Sequence, residues 1–387
     1  MKIKTLALAI AMATTSQAAI SGEIFNGKLM AMSGAGVAGA DFRNGATLNP
    51  ALVGHYEADD DFGLNLNVGV LASDEDELID NSDDLSEAID ALEGIIPNSE
   101  EEINDVIRLL EATDNATVRV DAGSHLQISI PNKIASATLF ASGTLQLGVA
   151  TDVKQADIDY LKAAATNHTI IDTDQLDTEI FAVGAVVKEF GVSLAKPFKI
   201  AGRDVLIGIS PKIQQVETIE YSTRAADYDS DDFDSEQYTK DGSNFNLDVG
   251  AHFTKGTNLM FGAVLKNILK QEYSTVTNRD LLIEPQLTIG AAYTNSWLLA
   301  EIDIDINAVE DLVLTENKQL IRFGAEFDAF GWAQLRFGYR HDLKSTLEDA
   351  VSAGIGISPF GVANIDIAAV MGDDDTFGAA IQLGLNF

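Results

Sequence analysis

The chain has 387 residues, no cysteine and a formal net charge of −35 at pH 7. The lack of cysteine excludes disulfides, thiolate metal sites and cysteine nucleophiles, and the acidic balance argues against binding to nucleic acid. Hydrophobic residues make up 46% of the chain and only 7 residues are proline, so the chain as a whole is not a disordered acidic segment.

Residues 1–18 predict a secretory signal peptide. Lys2 and Lys4 precede the apolar run 6–13, and Ser16 and Ala18 supply small residues where signal peptidase cleaves. The run is too short for a membrane span, which needs about 20 helical residues. No later stretch suits a transmembrane helix, so a mature chain embedded in a membrane would have to form a closed β-barrel.

Alternation of apolar and polar residues is the strongest pattern. In residues 62–70 the large apolar side chains share one face, and small or polar residues occupy the other, as expected for a strand between lipid and lumen. Most such stretches have about 10 residues or more, enough to cross the hydrocarbon layer. Fourteen of them predict strands: 61–72, 116–130, 134–150, 177–194, 204–221, 243–255, 258–272, 284–294, 297–306, 318–328, 331–341, 350–358, 361–372 and 375–387.

Short and long connections alternate strictly between these strands. The long or acidic connections are 73–115, 151–176, 222–242, 273–283, 307–317, 342–349 and 373–375. Short periplasmic turns and long outer loops are typical of outer-membrane barrels. We therefore predict an all-β fold, an antiparallel transmembrane β-barrel of about 14 strands formed by residues 61–387. It should be a monomer in the bacterial outer membrane, in contact with lipid and lipopolysaccharide.

The last predicted strand carries a targeting pattern. An apolar face ending in an aromatic residue resembles the C-terminal signal by which the barrel-assembly machinery recognises outer-membrane proteins. The residues of this face that we assign to targeting are Phe377, Ile381, Leu383, Leu385 and Phe387.

The acidic insert 73–115 predicts a helical hairpin in the first outer loop. Two helical stripes consist of Leu85, Ile89, Leu92 and Ile96, then Ile103, Ile107 and Leu110. Pro97 should end the first helix, and Ser99 with Glu102 has the spacing of a capping box that starts the second. The hairpin is either a cap or partner-docking surface, or a solvated decoration.

The run Gly34-x-Gly36-x-x-Gly39 matches the dinucleotide-binding fingerprint. That chemistry needs a preceding strand and a following helix, so that a pyrophosphate meets the helix N-terminus. Neither element is predicted here. The glycines are better explained as allowing close backbone packing in a confined space.

The same region resembles the N-terminal hatch of FadL-type barrels. The small-residue run 30–40, followed by the box Asn49-Pro50-Ala51, matches the A-x-G-x-A-x-A run and N-P-A box of those proteins. Within that superfamily the chain looks most similar to the TraF-like conjugal-transfer group, through residues 261–268, 290–293, 299–305 and 352–361. The resemblance implies a fourteen-stranded barrel plugged by residues 19–60, through which hydrophobic small molecules pass.

Two functions follow from this resemblance. The first is passive transport of a hydrophobic or amphipathic ligand, with a gate formed by Gly34, Gly36, Gly39, Asn49, Pro50 and Ala51. It predicts an apolar pocket beside the plug and a kink or lateral opening in a wall strand. The alternative is a non-transport component for conjugal transfer or surface assembly, which binds a partner through the acidic insert. An enzyme is not expected, because no G-x-S-x-G or H-E-x-x-H pattern occurs.

An acidic outer loop is the candidate metal site. The side chains of Asp227, Asp229, Asp231, Asp234 and Glu236 offer oxygen ligands of the kind that Ca²⁺ prefers. The spacing fails the EF-hand pattern, because Asp232 replaces the required glycine, so a hydrated acidic loop is the alternative. No other cofactor is expected.

Polar residues are also predicted to face the lumen. His125 and His252 fall on the polar faces of their strands, and the candidate charged residues are Arg119, Asp121, Lys188, Asp248, Lys266, Glu301, Asp303, Arg322, Glu326, Arg336 and Arg340. Pairing across the lumen and a polar conduction path both explain such charges.

Overall fold

The computed structural model describes residues 25–58, 60–74, 77–92, 99–224, 235–314, 316–358, 361–372 and 375–387. The predicted signal peptide therefore lies outside the described residues. Over these ranges, no helix is long and apolar enough to cross a bilayer.

Fourteen antiparallel strands form a closed barrel, which confirms the predicted fold and strand number. Each strand pairs with its neighbours in the chain, and β1 closes the sheet against β14 with Leu66 opposite Leu383. In chain order the strands are β1 Gly63–Ser73, β2 Thr117–Ile130, β3 Ser136–Asp152, β4 Glu179–Ile200, β5 Arg203–Arg224, β6 Thr239–Lys255, β7 Leu259–Lys266, β8 Gln286–Thr294, β9 Leu298–Asp305, β10 Leu320–Ala329, β11 Ala333–Asp342, β12 Ala350–Ile357, β13 Ala363–Gly372 and β14 Phe377–Asn386.

The alternating sequence places apolar side chains outside the barrel. On β14, Ile381 and Leu383 are exposed, whereas Gln382 between them is buried in the lumen. At the end with the short turns, aromatic side chains gather on the outside, including Trp297 and Trp332. Tight turns at this end use glycine with positive φ, as at Gly256 and Gly331, where a side chain would be strained.

Three helices form a cap beside the outer end of the barrel, which we call the outer cap: α3 Leu78–Leu92, α4 Glu100–Thr113 and α5 Gln155–Asn167. The capping box of Ser99 and Glu102 is present at the start of α4, as predicted. Pro97 and Ile96 lie outside the described residues. Helix α5 falls in a segment predicted as loop, and its Ile158 and Leu161 share one hydrophobic cluster with α3 and α4. The predicted helical hairpin, α3 and α4, thus shares one small hydrophobic core with a third helix, α5.

Two other outer loops fold back into the lumen. One carries the hairpin Gln271–Ser274 with Asp280–Ile283, and the other carries Val309–Glu310 with Asn317–Lys318. Tyr273 packs on Gly242 of β6, and Val313 packs on Gly148 of β3. Both glycines face inward, so these loops fill the outer part of the barrel.

Candidate functional site: the plug and the lumen

Residues 25–55, which we call the plug, lie inside the barrel. They contain the short helices α1 Gly27–Met30 and α2 Gly45–Leu48 and the 3₁₀ turn Pro50–Gly54. Asn26 caps α1 by accepting a hydrogen bond from the Leu29 backbone at 3.0 Å, which fits the preference of Asn for this position. Phe25 and Leu52, near the two ends of the plug, are almost completely buried.

The glycine run of the plug binds two carboxylates of the barrel wall. The backbone N–H groups of Gly36 and Val37 donate to Asp303 Oδ2 at 2.8 and 3.0 Å. The N–H of Ala38 donates to Glu301 Oε1 at 2.6 Å, and Gly39 donates to both oxygens of Glu301 at 3.1 Å. Successive N–H groups of this kind form an anion-binding nest. Its donors are therefore used by the protein's own side chains.

Close packing explains the glycines of this run. Gly34 has a φ of +84°, a conformation that side chains rarely adopt. A Cβ on Gly36 would lie 2.6 Å from the Leu29 side chain, and one on Gly39 would lie 2.6 Å from Glu301 Oε2. A larger residue would push the run off its carboxylates.

The Asn49-Pro50-Ala51 box joins the plug to strands β5 and β6. The Asn49 side chain accepts from the Ala51 backbone at 3.1 Å and donates to the carbonyls of Val37 at 2.8 Å and Ala251 at 3.3 Å. Asn49 thus caps the 3₁₀ turn and links it to both the glycine run and the wall. The wall is small here, because Gly208 and Gly250 are register partners whose missing side chains make room for the box.

Ion pairs hold the plug at other points. Asp41 and Arg43 pair at 3.0 Å, and Arg43 also donates to Asn364 of β13 at 2.9 Å. Burial raises the pKa of Asp41, but the positive charges of Arg43 and Lys28 outweigh it and hold that pKa well below its usual range. Lys28 pairs with Glu326 of β10 at 3.1 Å.

Buried ion pairs also join strands of the lumen wall from β4 to β6 and from β9 to β13, and we call them the paired network. Arg336 joins Glu326 and Asp366 at 2.6 Å each. The other members are Lys212 with Glu189 and Asp248, at 3.0 and 2.9 Å, and Arg322 with Asp305 at 3.0 Å. Pairing is thus the observed state of these predicted lumen charges.

The prediction for Lys188 is wrong. Its neighbour Glu189 is the inward residue, and Lys188 instead pairs loosely with Glu217, at 3.8 Å, on the opposite face of β4 and β5. The sequence here has apolar or small residues on both faces from 181 to 187, so its alternation could not fix which face is inside.

The wall formed by β1, β2 and β3 differs from the paired network. Asn67, His125 and Ser142 are direct register partners across these strands, and we call them the polar row. All three are buried, with exposed fractions of 0, 7 and 1%. Both polar atoms of Asn67, both ring nitrogens of His125 and Ser142 Oγ have no hydrogen-bond partner among the described residues.

A cavity of about 290 Å³ lies at the outer end of the lumen. Arg119 on its wall pairs with Asp121 at 2.7 Å and with Asp311 of an inward loop at 2.9 Å. Its lining mixes apolar and polar residues and contains no plug residue, so it is not the apolar pocket predicted beside the plug. The lining includes Leu71, Ser73, Arg119, Asp121, Leu314, Glu316, Arg340, Leu347 and Thr376.

The wall ladder is interrupted between β4 and β5. Pairing runs from Glu179 with Arg224 to Gly191 with Lys212, and resumes at Leu194 with Ile209 in the same register. Pro211 lies in the gap and has no N–H to donate to the ladder. The register is the same on both sides of this gap, and the predicted kink or lateral opening stays a prediction.

Comparison with known proteins places the chain in a family. The family model described as "F plasmid transfer operon, TraF, protein" matches residues 46–305. The chain belongs to this TraF family. A search of curated protein sequences found no match.

Solved structures with the same fold are FadL-type barrels. The CymD monoaromatic hydrocarbon channel has a TM-score of 0.58 at 11% identity, with 95% of this chain and 99% of that chain covered. The toluene transporter TbuX of Ralstonia pickettii has 0.54 at 13%, with 94% and 98% covered. A Pseudomonas aeruginosa FadL homologue has 0.52 at 11%, with 96% and 99% covered. These proteins are a channel, a transporter and a FadL homologue, and at these identities the likeness shows the fold alone.

The remaining predicted residues fall into two groups. Asp227, Asp229, Asp231 and Asp234 lie outside the described residues, while Glu236 is exposed, so the Ca²⁺ loop stays a prediction. Within the described part of the chain, no three His, Asp or Glu side chains gather as a metal site. The five targeting residues of the last strand and its end are all exposed on the outer face, as the alternation predicted, and their recognition by the assembly machinery stays a prediction.

Proposed function

We propose that this TraF-family protein is a passive outer-membrane channel for small hydrophobic or amphipathic molecules, gated by its plug. The observation that carries the proposal is a closed barrel whose lumen holds a separate N-terminal segment, bound through the nest on Glu301 and Asp303. A segment held by hydrogen bonds, ion pairs and side-chain packing, and not by strand pairing, can leave the wall without breaking the barrel sheet. The apolar outer face with aromatic residues at one end supports a place in the outer membrane.

The outer cavity, Phe25 of the plug and the polar row follow one another along β1 and β2. Leu71 and Asp121 line the cavity. Two residues further along β1 and β2, the ring of Phe25 packs on Gly123 beside Gly69. Two residues further again lie Asn67 and His125 of the polar row. Phe25 thus stands between the cavity and the polar row, as an aromatic barrier that a solute must displace.

A flux measurement on proteoliposomes tests this proposal. Purified protein should admit small aromatic hydrocarbons faster than empty liposomes do, and Phe25→Ala should increase that flux, because the barrier above Gly123 is removed. Phe323→Ala is the matched control, since Phe323 is exposed on the outer face of β10, and it should leave flux unchanged. Wild-type flux no greater than that of empty liposomes, together with no increase for Phe25→Ala, would contradict the proposal.

Partner binding through the outer cap is the second candidate function. The family match to a plasmid-transfer protein and the exposed acidic residues of α4, such as Glu100 and Glu101, favour it. Deleting residues 75–112 would uncover the core side of α5, because the three helices share one hydrophobic cluster. Charge-neutral substitutions Glu100→Gln and Glu101→Gln are therefore the better test, with loss of conjugative transfer but unchanged flux as the supporting result.

A further inference from the structure

The polar row has more hydrogen-bonding capacity than the described residues satisfy. Its five unpartnered atoms are Asn67 Nδ2 and Oδ1, His125 Nδ1 and Nε2, and Ser142 Oγ. Buried polar atoms in native proteins are nearly always matched by protein, water or a bound molecule. Three adjacent residues unmatched together therefore indicate a place where something else binds.

The plug borders this place on two sides. Towards the outer cavity, Phe25 packs on Gly123. Towards the short-turn end, Gln127 donates to Thr47 of the plug at 3.2 Å, and Asn65 donates to Asn44 at 2.7 Å. Rows two residues apart on a strand are separated by about 6.8 Å, so the polar row lies between two plug contacts with no plug hydrogen bond of its own among the described residues.

The surrounding charges are already compensated. Glu189, the register partner of Ser142, accepts from Lys212 at 3.0 Å and from Gln214 at 2.5 Å. Lys266 donates to the Thr47 carbonyl at 2.7 Å, and its charge, together with that of Lys212, balances the two nearby carboxylates Glu189 and Asp248. A charged ligand would find no free counter-charge among these residues, and a hydrocarbon would leave the five atoms of the row unmatched.

We propose that the polar row is a binding subsite for a small neutral solute that both donates and accepts hydrogen bonds, such as a phenol or an alcohol. An amide and an imidazole supply donors and acceptors together, and the Ser142 hydroxyl supplies either. The inference rests on the proposed channel function, because it names the class of solute that the channel selects. The apolar part of such a solute would lie against Phe25.

Binding of three matched aromatic probes to the full-length protein in detergent tests the subsite. Toluene, p-cresol and benzoate share one ring and differ in hydrogen bonding and charge. Saturation-transfer NMR titrations should show p-cresol binding about tenfold more tightly than toluene, the difference that about 1.4 kcal/mol of hydrogen bonding produces, and benzoate binding more weakly than both. Equal affinity for toluene and p-cresol would overturn the proposal and indicate water only.

Variants separate the subsite from general solubility of the probes. Asn67→Leu with His125→Phe should remove the preference for p-cresol while leaving toluene affinity unchanged. Ser142→Ala is the milder variant if that pair fails to fold, and it should reduce the preference. Its control is Ser352→Ala, because Ser352 lies on β12, outside the polar row, and already bonds the Ser33 hydroxyl at 2.8 Å. A preference that survives the substitutions in the row contradicts the assignment.

Flux measurements distinguish failure of the subsite from failure of the channel. If toluene and p-cresol both cross liposomes but bind equally, the channel stands and the subsite fails. If p-cresol binds through the polar row but no solute crosses, the subsite stands and the channel fails.

Discussion

Two neighbouring parts of the lumen wall differ in whether their buried polar groups have partners. On β4 to β6, Glu189, Lys212 and Asp248 form a closed set of ion pairs with distances near 3 Å. One strand away, Ser142 faces Glu189 in register, yet the row that it begins has no partners among the described residues. Ion pairs thus fix the wall at β4 to β6, and neutral hydrogen-bonding capacity is left available in the polar row.

The paired network should be the more sensitive to substitution. Lys212→Met keeps the length of the side chain but leaves two buried carboxylates without their cation, which costs about 3–5 kcal/mol. Lys199→Met is the control, because Lys199 and Asp204 form an exposed pair that contributes about 1 kcal/mol or less. Urea unfolding in detergent, followed by tryptophan fluorescence, measures both. Equal losses for the two variants would contradict a special role of the paired network.

Loss of the carboxylate that the nest binds should have the second-largest effect. Asp303→Ala removes the acceptor of the Gly36 and Val37 N–H groups, and each unmatched buried donor costs roughly 1–3 kcal/mol. The plug should then become accessible to protease while the barrel stays folded. Asp303→Asn retains an acceptor oxygen and should show a smaller effect. Protection of the plug unchanged in Asp303→Ala would show that the nest does not hold it.

Substitutions in the polar row should change the free energy of unfolding least. Asn67→Leu with His125→Phe replaces unmatched polar groups by apolar ones of similar shape, a change that is often nearly neutral. We expect a change in the free energy of unfolding below about 1 kcal/mol, measured by the same urea titration. A loss as large as that of Lys212→Met would mean that the row is part of the structural network, and would erase the contrast between the two parts of the wall.

The sequence predicts the barrel well because the strand period recurs in fourteen stretches and short and long links alternate over the thirteen connections between them. It predicts the close packing of Gly34, Gly36 and Gly39, but not the partner of that run, because Glu301 lies more than 260 positions away. The sequence predicts a loop where helix α5 lies, although Ile158, Leu161 and Ala165 recur at helical spacing. Of the polar row, the sequence predicts only that His125 faces the lumen. Its lack of hydrogen-bond partners depends on which distant residues fold against it, and the sequence carries no signal for that.

An engineered disulfide between the plug and the wall tests most directly whether the plug must move for a solute to cross the barrel. A Cβ on Gly54 would lie 3.4 Å from the Cβ of Ala195 on β4, close to the 3.5–4.5 Å of a disulfide, and the chain has no cysteine of its own. Gly54→Cys with Ala195→Cys should lose solute flux when oxidised and regain it on reduction, while the single variants keep it in both states. Equal flux in the oxidised and reduced double variant would show that solutes cross without movement of the plug at the Asn49-Pro50-Ala51 box.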